Sequence, residues 1–166
     1  MDPQAIFENF RRTITDHYFD MNGRVGRAQF WYFILASFVI AIVVAILQSL
    51  TFLPLVLIYN LAILLPACSI GARRLQDTGR DGRLVWIFLI ASFAWTVAAL
   101  VGLISAFFLG GFLSFLLFGW FAWLLHVVLV ITGLALLWFW CQPGDPGTNA
   151  YGPPPPVFDP AVRPAT

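Results

Sequence analysis

Lysine is absent from this chain, and charge of either sign is scarce. Of 166 residues only 10% are charged, against 60% hydrophobic and 17% aromatic. A water-soluble domain carries roughly 25% charged residues, because its surface has to be covered; this chain could not cover one. No charged residue lies between Ala28 and Ala72, and none between Leu84 and Gly144. Each gap is longer than the roughly 20 apolar residues a helix needs to cross about 30 Å of hydrocarbon. The solvent is therefore a bilayer, in which only helices or closed barrels satisfy their own backbone. Apolar runs without alternation exclude the barrel. With only two cysteines, Cys68 and Cys141, the chain has neither a disulfide framework nor a zinc site, and both read as small apolar core residues. A net charge of +1 leaves no nucleic-acid footprint. No cleavable signal peptide is expected, because the first 27 residues are polar and hold four arginines ahead of any apolar run.

What is present is helical. Asp2-Pro3 reads as a helix start. Pro3, Ile6, Phe7, Phe10, Ile14, His17 and Tyr18 then share one arc, with Glu8, Arg12, Thr13 and Asp16 opposite. That pattern predicts an N-terminal amphipathic helix lying in the membrane interface, closed by Asn22-Gly23. Four spans follow, at about 28–52, 54–72, 84–109 and 112–140, with hairpins at Pro54 and Gly110-Gly111. Residues 73–83 form a charged loop between the second and third spans, and residues 143–166 a Pro/Gly-rich tail. Phe30-Trp31-Tyr32-Phe33 reads as an aromatic interface belt. Ser37, Ala41, Ala45 and Ser49, and Ala94, Ala98, Gly102, Ala106 and Gly110, are small-residue stripes suited to close helix packing. The fold class is an all-α integral membrane protein, a four-helix bundle with an interfacial N-terminal helix.

The nine basic residues are all arginine, at 11, 12, 24, 27, 73, 74, 80, 83 and 163. Four spans put them all on one side, which the positive-inside rule makes the cytoplasm, so both termini are expected there.

Three polar motifs remain: Tyr18-Phe-Asp-Met-Asn-Gly-Arg-Val-Gly-Arg-Ala-Gln-Phe-Trp-Tyr-Phe33, Arg73-Arg-Leu-Gln-Asp-Thr-Gly-Arg80, and Pro143-Gly-Asp-Pro-Gly-Thr-Asn-Ala-Tyr-Gly-Pro153. In this order they resemble the signatures of domain of unknown function 805, a family of YhaH-like bacterial inner-membrane proteins. The resemblance implies an inner-membrane location and carries no biochemical activity with it. The chain departs from the family pattern at Gln76, where a histidine is usual, and at Asp81 and Arg83.

All three motifs fall at the same ends of the spans. Asp20, Arg24, Arg27, Arg73, Arg74, Asp77, Asn149 and Tyr151 are candidates for a salt-bridged cap or an anionic head-group site, since a guanidinium fork pairs bidentately with carboxylate or phosphate. Residues 1–27 and 73–83 hold eight arginines against six carboxylates, an excess of two. Polybasic lipid-binding segments carry about four to eight, so the structural reading leads. Asp77-Thr78-Gly79 does not make an aspartic protease, because that chemistry needs two carboxylates sharing a proton. His126 is the one histidine or charged residue inside the spans; it shares a face with Gly119, Ala122 and Gly133, and Thr96 is its expected hydrogen-bond partner. An interhelical clamp is the plain reading and proton handling the sharper one. No catalytic, cofactor or metal residues are assigned. The sequence points to a non-enzymatic accessory, scaffold or interaction protein, with a transporter or channel subunit as the alternative and a membrane enzyme third. Its expected partners are the bilayer, anionic lipid head groups or another membrane protein.

The topology has a direct test. Pro54→Cys and Gly110→Cys variants are expected to react with an impermeant maleimide added to intact cells, and Arg80→Cys and Ala165→Cys variants are not. Labelling of the second pair from outside rules out the four-span arrangement.

Overall fold

The computed structural model describes residues 3–156; Asp2, Arg163 and Ala165 lie outside them. The described residues form five helices: α1 (Pro3–Thr15), α2 (Arg27–Thr51), α3 (Leu55–Asp77), α4 (Leu84–Leu109) and α5 (Gly111–Cys141). Helices α2 to α5 are each long and apolar enough to cross a membrane. The chain divides into two compact units, one of Met1–Gly82 with Trp140–Thr166 and one of Arg83–Phe139.

In the first unit, α2 and α3 make a hairpin. Phe52 takes the left-handed C-cap conformation at φ 57°, returning its N–H to Gln48 O, while Gln48 Oε1 accepts the Val56 N–H at 2.9 Å across the turn. Tyr59 Oη donates to Ser37 O at 2.7 Å, tying α3 to α2. Helix α1 docks on this hairpin, but not by the arc its apolar pattern suggests. Its buried face is Ala5, Asn9, Phe10 and Thr13, and Phe7 is exposed. Thr13 belongs inside because its hydroxyl bonds Asn9 O and Asn9 Nδ2 bonds Gln29 O. On the solvent side, hydrogen bonds from Arg11 and then Arg12 lower the Glu8 carboxyl from 4.5 to about 2. The aromatic run at the start of α2 also divides. Phe30 and Phe33 are core residues with Phe10, Val25 and Ile70, and Phe10 stacks on Phe33 at 5.4 Å.

Helix α3 does not stop at Ala72. It runs five residues further, so Arg73, Arg74 and Asp77 are helical and buried rather than members of a charged loop. It ends in a Schellman stop: Arg80 N–H returns to Leu75 O and Gly79 N–H to Gln76 O, with Gly79 at φ 73°. The Asp-Thr-Gly tripeptide is thus a helix terminator. Pro66 sits inside α3 and has no N–H for the carbonyl four residues back, Ala62 O. Tyr18 Oη supplies the missing donor, at 3.0 Å.

In the second unit, α4 and α5 are joined at Gly110, whose φ of 82° suits glycine. Ser114 Oγ reaches back to Gly102 O at 2.9 Å and meets Ser105 Oγ at 2.5 Å, while in the second small-residue stripe Ala94 and Gly110 are exposed and a Cβ added at Gly102 would meet nothing within 4 Å. Residues Phe115–Gly119 form a π-helical turn, an insertion common where a helix is re-aimed. The Phe115 ring lies over Gly119, where any Cβ would come within 2.5 Å of it. In the first stripe, Ala45 and Ser49 are exposed instead of packed.

The Tyr18–Pro66 relation is measurable. Tyr18→Phe strands Ala62 O, which lies at an exposed position within an apolar candidate span, and a carbonyl left unpaired in hydrocarbon costs several kcal/mol. In a Pro66→Ala background the restored N–H takes that carbonyl, so Tyr18→Phe should cost much less. Equal losses of thermal stability in both backgrounds would show that the pairing does not matter.

Candidate functional site

The polar residues of the first unit converge on one carboxylate. Asp77 Oδ1 accepts from Arg24 Nε at 3.0 Å, and Asp77 Oδ2 pairs with Arg74 Nη1. All three side chains are enclosed: Arg74 is 0% exposed, Arg24 1% and Asp77 4%. Arg74 and Asp77 are three apart on α3 and therefore share a face. Arg24 arrives from the segment before α2, which Val25 N–H anchors to Arg73 O.

One carboxylate cannot satisfy two guanidinium groups, and the remaining donors find backbone carbonyls. Arg74 caps the end of α5, giving Nε to Trp140 O at 3.1 Å and Nη2 to Gln142 O. Such carbonyls lack intrahelical partners and favour a cation. Arg24 gives Nη1 to Gly147 O at 2.6 Å and Gly152 O at 3.2 Å, and Nη2 to Asp145 O. Residues 142–152 are therefore a strap laced over α3. Asp145 N–H bonds Asp77 O at 2.8 Å, and Asn149 Nδ2 bonds Gln76 O at 3.0 Å and Asp145 Oδ2 at 2.9 Å. Asn149 and Gly152 exchange a pair of backbone hydrogen bonds at 3.1 Å. At Gly144 the strap touches the Asp77 carboxylate so closely that a Cβ would collide with it. Over residues 142–152 the Pro/Gly composition serves a fixed path.

The other expected members take different places. Among the described residues Asp20 forms no ion pair with an arginine. Its carboxylate accepts the His17 Nδ1 contact at 2.9 Å and the Asn22 N–H at 3.1 Å. Burial favours its neutral form, but those two hydrogen bonds hold it below the usual carboxylate range. Arg27 is exposed. Arg73 is buried among the residues facing Tyr18–Val25. Tyr151 contributes its backbone N–H, to Asn149 Oδ1 at 2.9 Å. Sequence reasoning passed over Asp145, Gln142 and Ser69, because Gln142 and, beside its one side-chain bond to Asn149, Asp145 act through backbone atoms and Ser69 tethers backbone carbonyls, which leaves no signature in residue type.

His126 meets a different neighbour from the one expected. Its ring lies against Trp95, with centroids 5.4 Å apart, and no hydrogen bond joins it to Thr96 among the described residues. Thr96 Oγ1 bonds Ser92 O on its own helix at 2.9 Å, the local habit of a helical threonine. Nor is His126 enclosed; it is exposed.

A family model described as "Protein of unknown function (DUF805)" matches residues 18–153. Among curated proteins, the inner membrane protein YhaI of Escherichia coli (strain K12) is 28% identical over 88 residues, covering 51% of this chain and 75% of that protein. The inner membrane protein YhaH of the same strain is 26% identical over 149 residues, covering 86% of this chain and 92% of that protein. No solved structure matches.

The coupling within the cap is testable. Arg74→Ala leaves Asp77 short of a partner, and Asp77→Ala leaves two buried guanidinium groups on one site; breaking such a pair costs about 3–5 kcal/mol. Each variant should unfold at lower temperature in detergent, and the double variant should lose less than the sum. Strict additivity would mean that the two side chains do not interact.

Proposed function

The chain belongs to the DUF805 family of membrane proteins, and from that premise we propose that it is a non-enzymatic accessory or scaffold protein of the bacterial inner membrane. In this reading both termini and the arginine cap face the cytoplasm, as the one-sided distribution of arginine favours. One observation carries the role. Arg24, Arg74 and Asp77 are turned on one another and on backbone carbonyls, so the most enclosed polar cluster holds span ends and strap in place. A catalytic centre needs a group within reach of a substrate, and this carboxylate is covered by Gly144. The cap then offers a rigid surface to another membrane protein or to the head-group layer.

Proton-linked transport is the rival. It would rest on His126, whose unit contains no other histidine and no charged residue from Leu84 to Phe139. A scaffold tolerates His126→Gln, because the flat polar ring contact with Trp95 is replaced by another polar group, whereas His126→Leu changes stability modestly. Glutamine does not titrate near neutral pH. In a complementation assay the His126→Gln protein should retain full activity. Normal insertion with complete loss of activity would put transport first. Mild-detergent affinity purification of the same variants should return the same co-purifying membrane protein as wild type; no such partner in any of them would remove the scaffold reading.

A further inference from the structure

Three side chains along one face of α3 meet the Tyr18–Val25 segment, and only two are engaged there. Ser69 Oγ bonds His17 O at 2.9 Å and Asp20 O at 2.5 Å, and Gln76 Nε2 bonds Met21 O at 2.8 Å. Arg73 lies between them, 5% exposed, and its Nε and Nη2 have no hydrogen-bond partner among the described residues. Those two N–H groups lie along one edge of the guanidinium plane, the edge that meets an oxyanion with two parallel hydrogen bonds. Asp20 is close enough to act on Arg73 electrostatically, but no ion pair joins them, because its oxygens are turned to His17 and Asn22. One turn along, Gln76 Oε1 is also buried without a partner.

An enclosed guanidinium edge with nothing to accept from it is among the costlier arrangements a protein can hold, and each one in a native fold calls for a cause. We propose that Arg73 is a binding site for a phosphate-type oxyanion, held side-on by Nε and Nη2. The position favours a lipid phosphodiester as its source. Arg73 is the first charged residue after the uncharged run from Ala28 to Ala72, where a span leaves the hydrocarbon for the head-group layer. The unpartnered Gln76 Oε1 is an acceptor suited to a hydroxyl on the same head group. Arginine serves here where lysine would not, because only the planar fork offers two donors in fixed register. The site is separate from the Asp77 cluster and does not depend on the scaffold role.

The test follows the thermal unfolding midpoint of the full chain in dodecyl maltoside and phosphate-free buffer. Dioleoylphosphatidylglycerol should raise the midpoint by about 3 °C, and dioleoylglycerol, with the same chains and no phosphate, should leave it unchanged. Arg73→Met should abolish the shift and unfold no lower than wild type without lipid, since it removes an unpartnered buried charge. An equal shift with inorganic phosphate alone supports the oxyanion site and identifies its ligand as free phosphate. No shift with either phosphate source overturns the proposal, as does a shift that survives in Arg73→Met. If Arg73→Met does not fold, Arg73→Lys keeps the charge and loses the fork; it should lose most of the shift, and an undiminished shift there overturns the proposal as well.

Discussion

A single carboxylate shared by two buried guanidinium groups dictates most of what surrounds it. Asp77 can accept from Arg24 and Arg74 together only if α3 stays helical past its apolar stretch, which is why the helix stops at Asp77 and not at Ala72. The pair of arginines exceeds the one carboxylate in charge, and a buried surplus of positive charge needs oxygen ligands. Five backbone carbonyls, at Trp140, Gln142, Asp145, Gly147 and Gly152, supply them. The path of the strap follows from that demand. Its carbonyls must point inward, and its glycines permit the approach, Gly144 most of all.

Helix α3 serves as the reference element for the whole first unit. One face holds the Asp77 cluster; another receives the segment before α2, through Ala62 O, Ser69 and Gln76. The proline that would be a defect in this helix gives that second face a fixed acceptor, and Tyr18 lies where it can use it. Phe30 contacts Trp140 at 5.1 Å, and Trp140 Nε1 donates to Gly71 O at 3.1 Å. Apolar packing and the polar cap are therefore built on the same turns of α3. Loosening either should loosen the other.

The four long apolar helices were legible because hydrocarbon imposes a length and a polarity that no other environment does. The three polar motifs were legible as a group because only polar residues at span ends interrupt so apolar a chain. The register of α1 was not. An amphipathic arc assumes that apolar side chains face inward, and here Thr13 goes in with its hydroxyl on Asn9 O and Asn9 goes in with its Nδ2 on Gln29 O of α2, leaving Phe7 outside. Nor could composition distinguish Arg74, which caps a helix end, from Arg73 beside it. Adjacent positions on a helix point about 100° apart, so the two arginines meet different surroundings, and residue type is silent on what those are.

That divergence bears on how a positive face should be weighed. Counting charge treats the arginines of the cap as equivalent, yet Arg24 and Arg74 are fully enclosed, Arg27 is exposed, and Arg73 is enclosed without an acceptor on its bidentate edge. Enclosed and saturated guanidinium groups add little to the field outside, because their charge is already met by oxygen within bonding distance. The positive charge that the cap leaves exposed is accordingly set by a few positions, not by its net excess. A chain whose few basic residues are all arginine can then hold a rigid polar cluster at the ends of its apolar helices without being a general polybasic attractor. At the site proposed for Arg73, selectivity would come from geometry, because the guanidinium fork is the side chain through which geometry acts on phosphate and carboxylate.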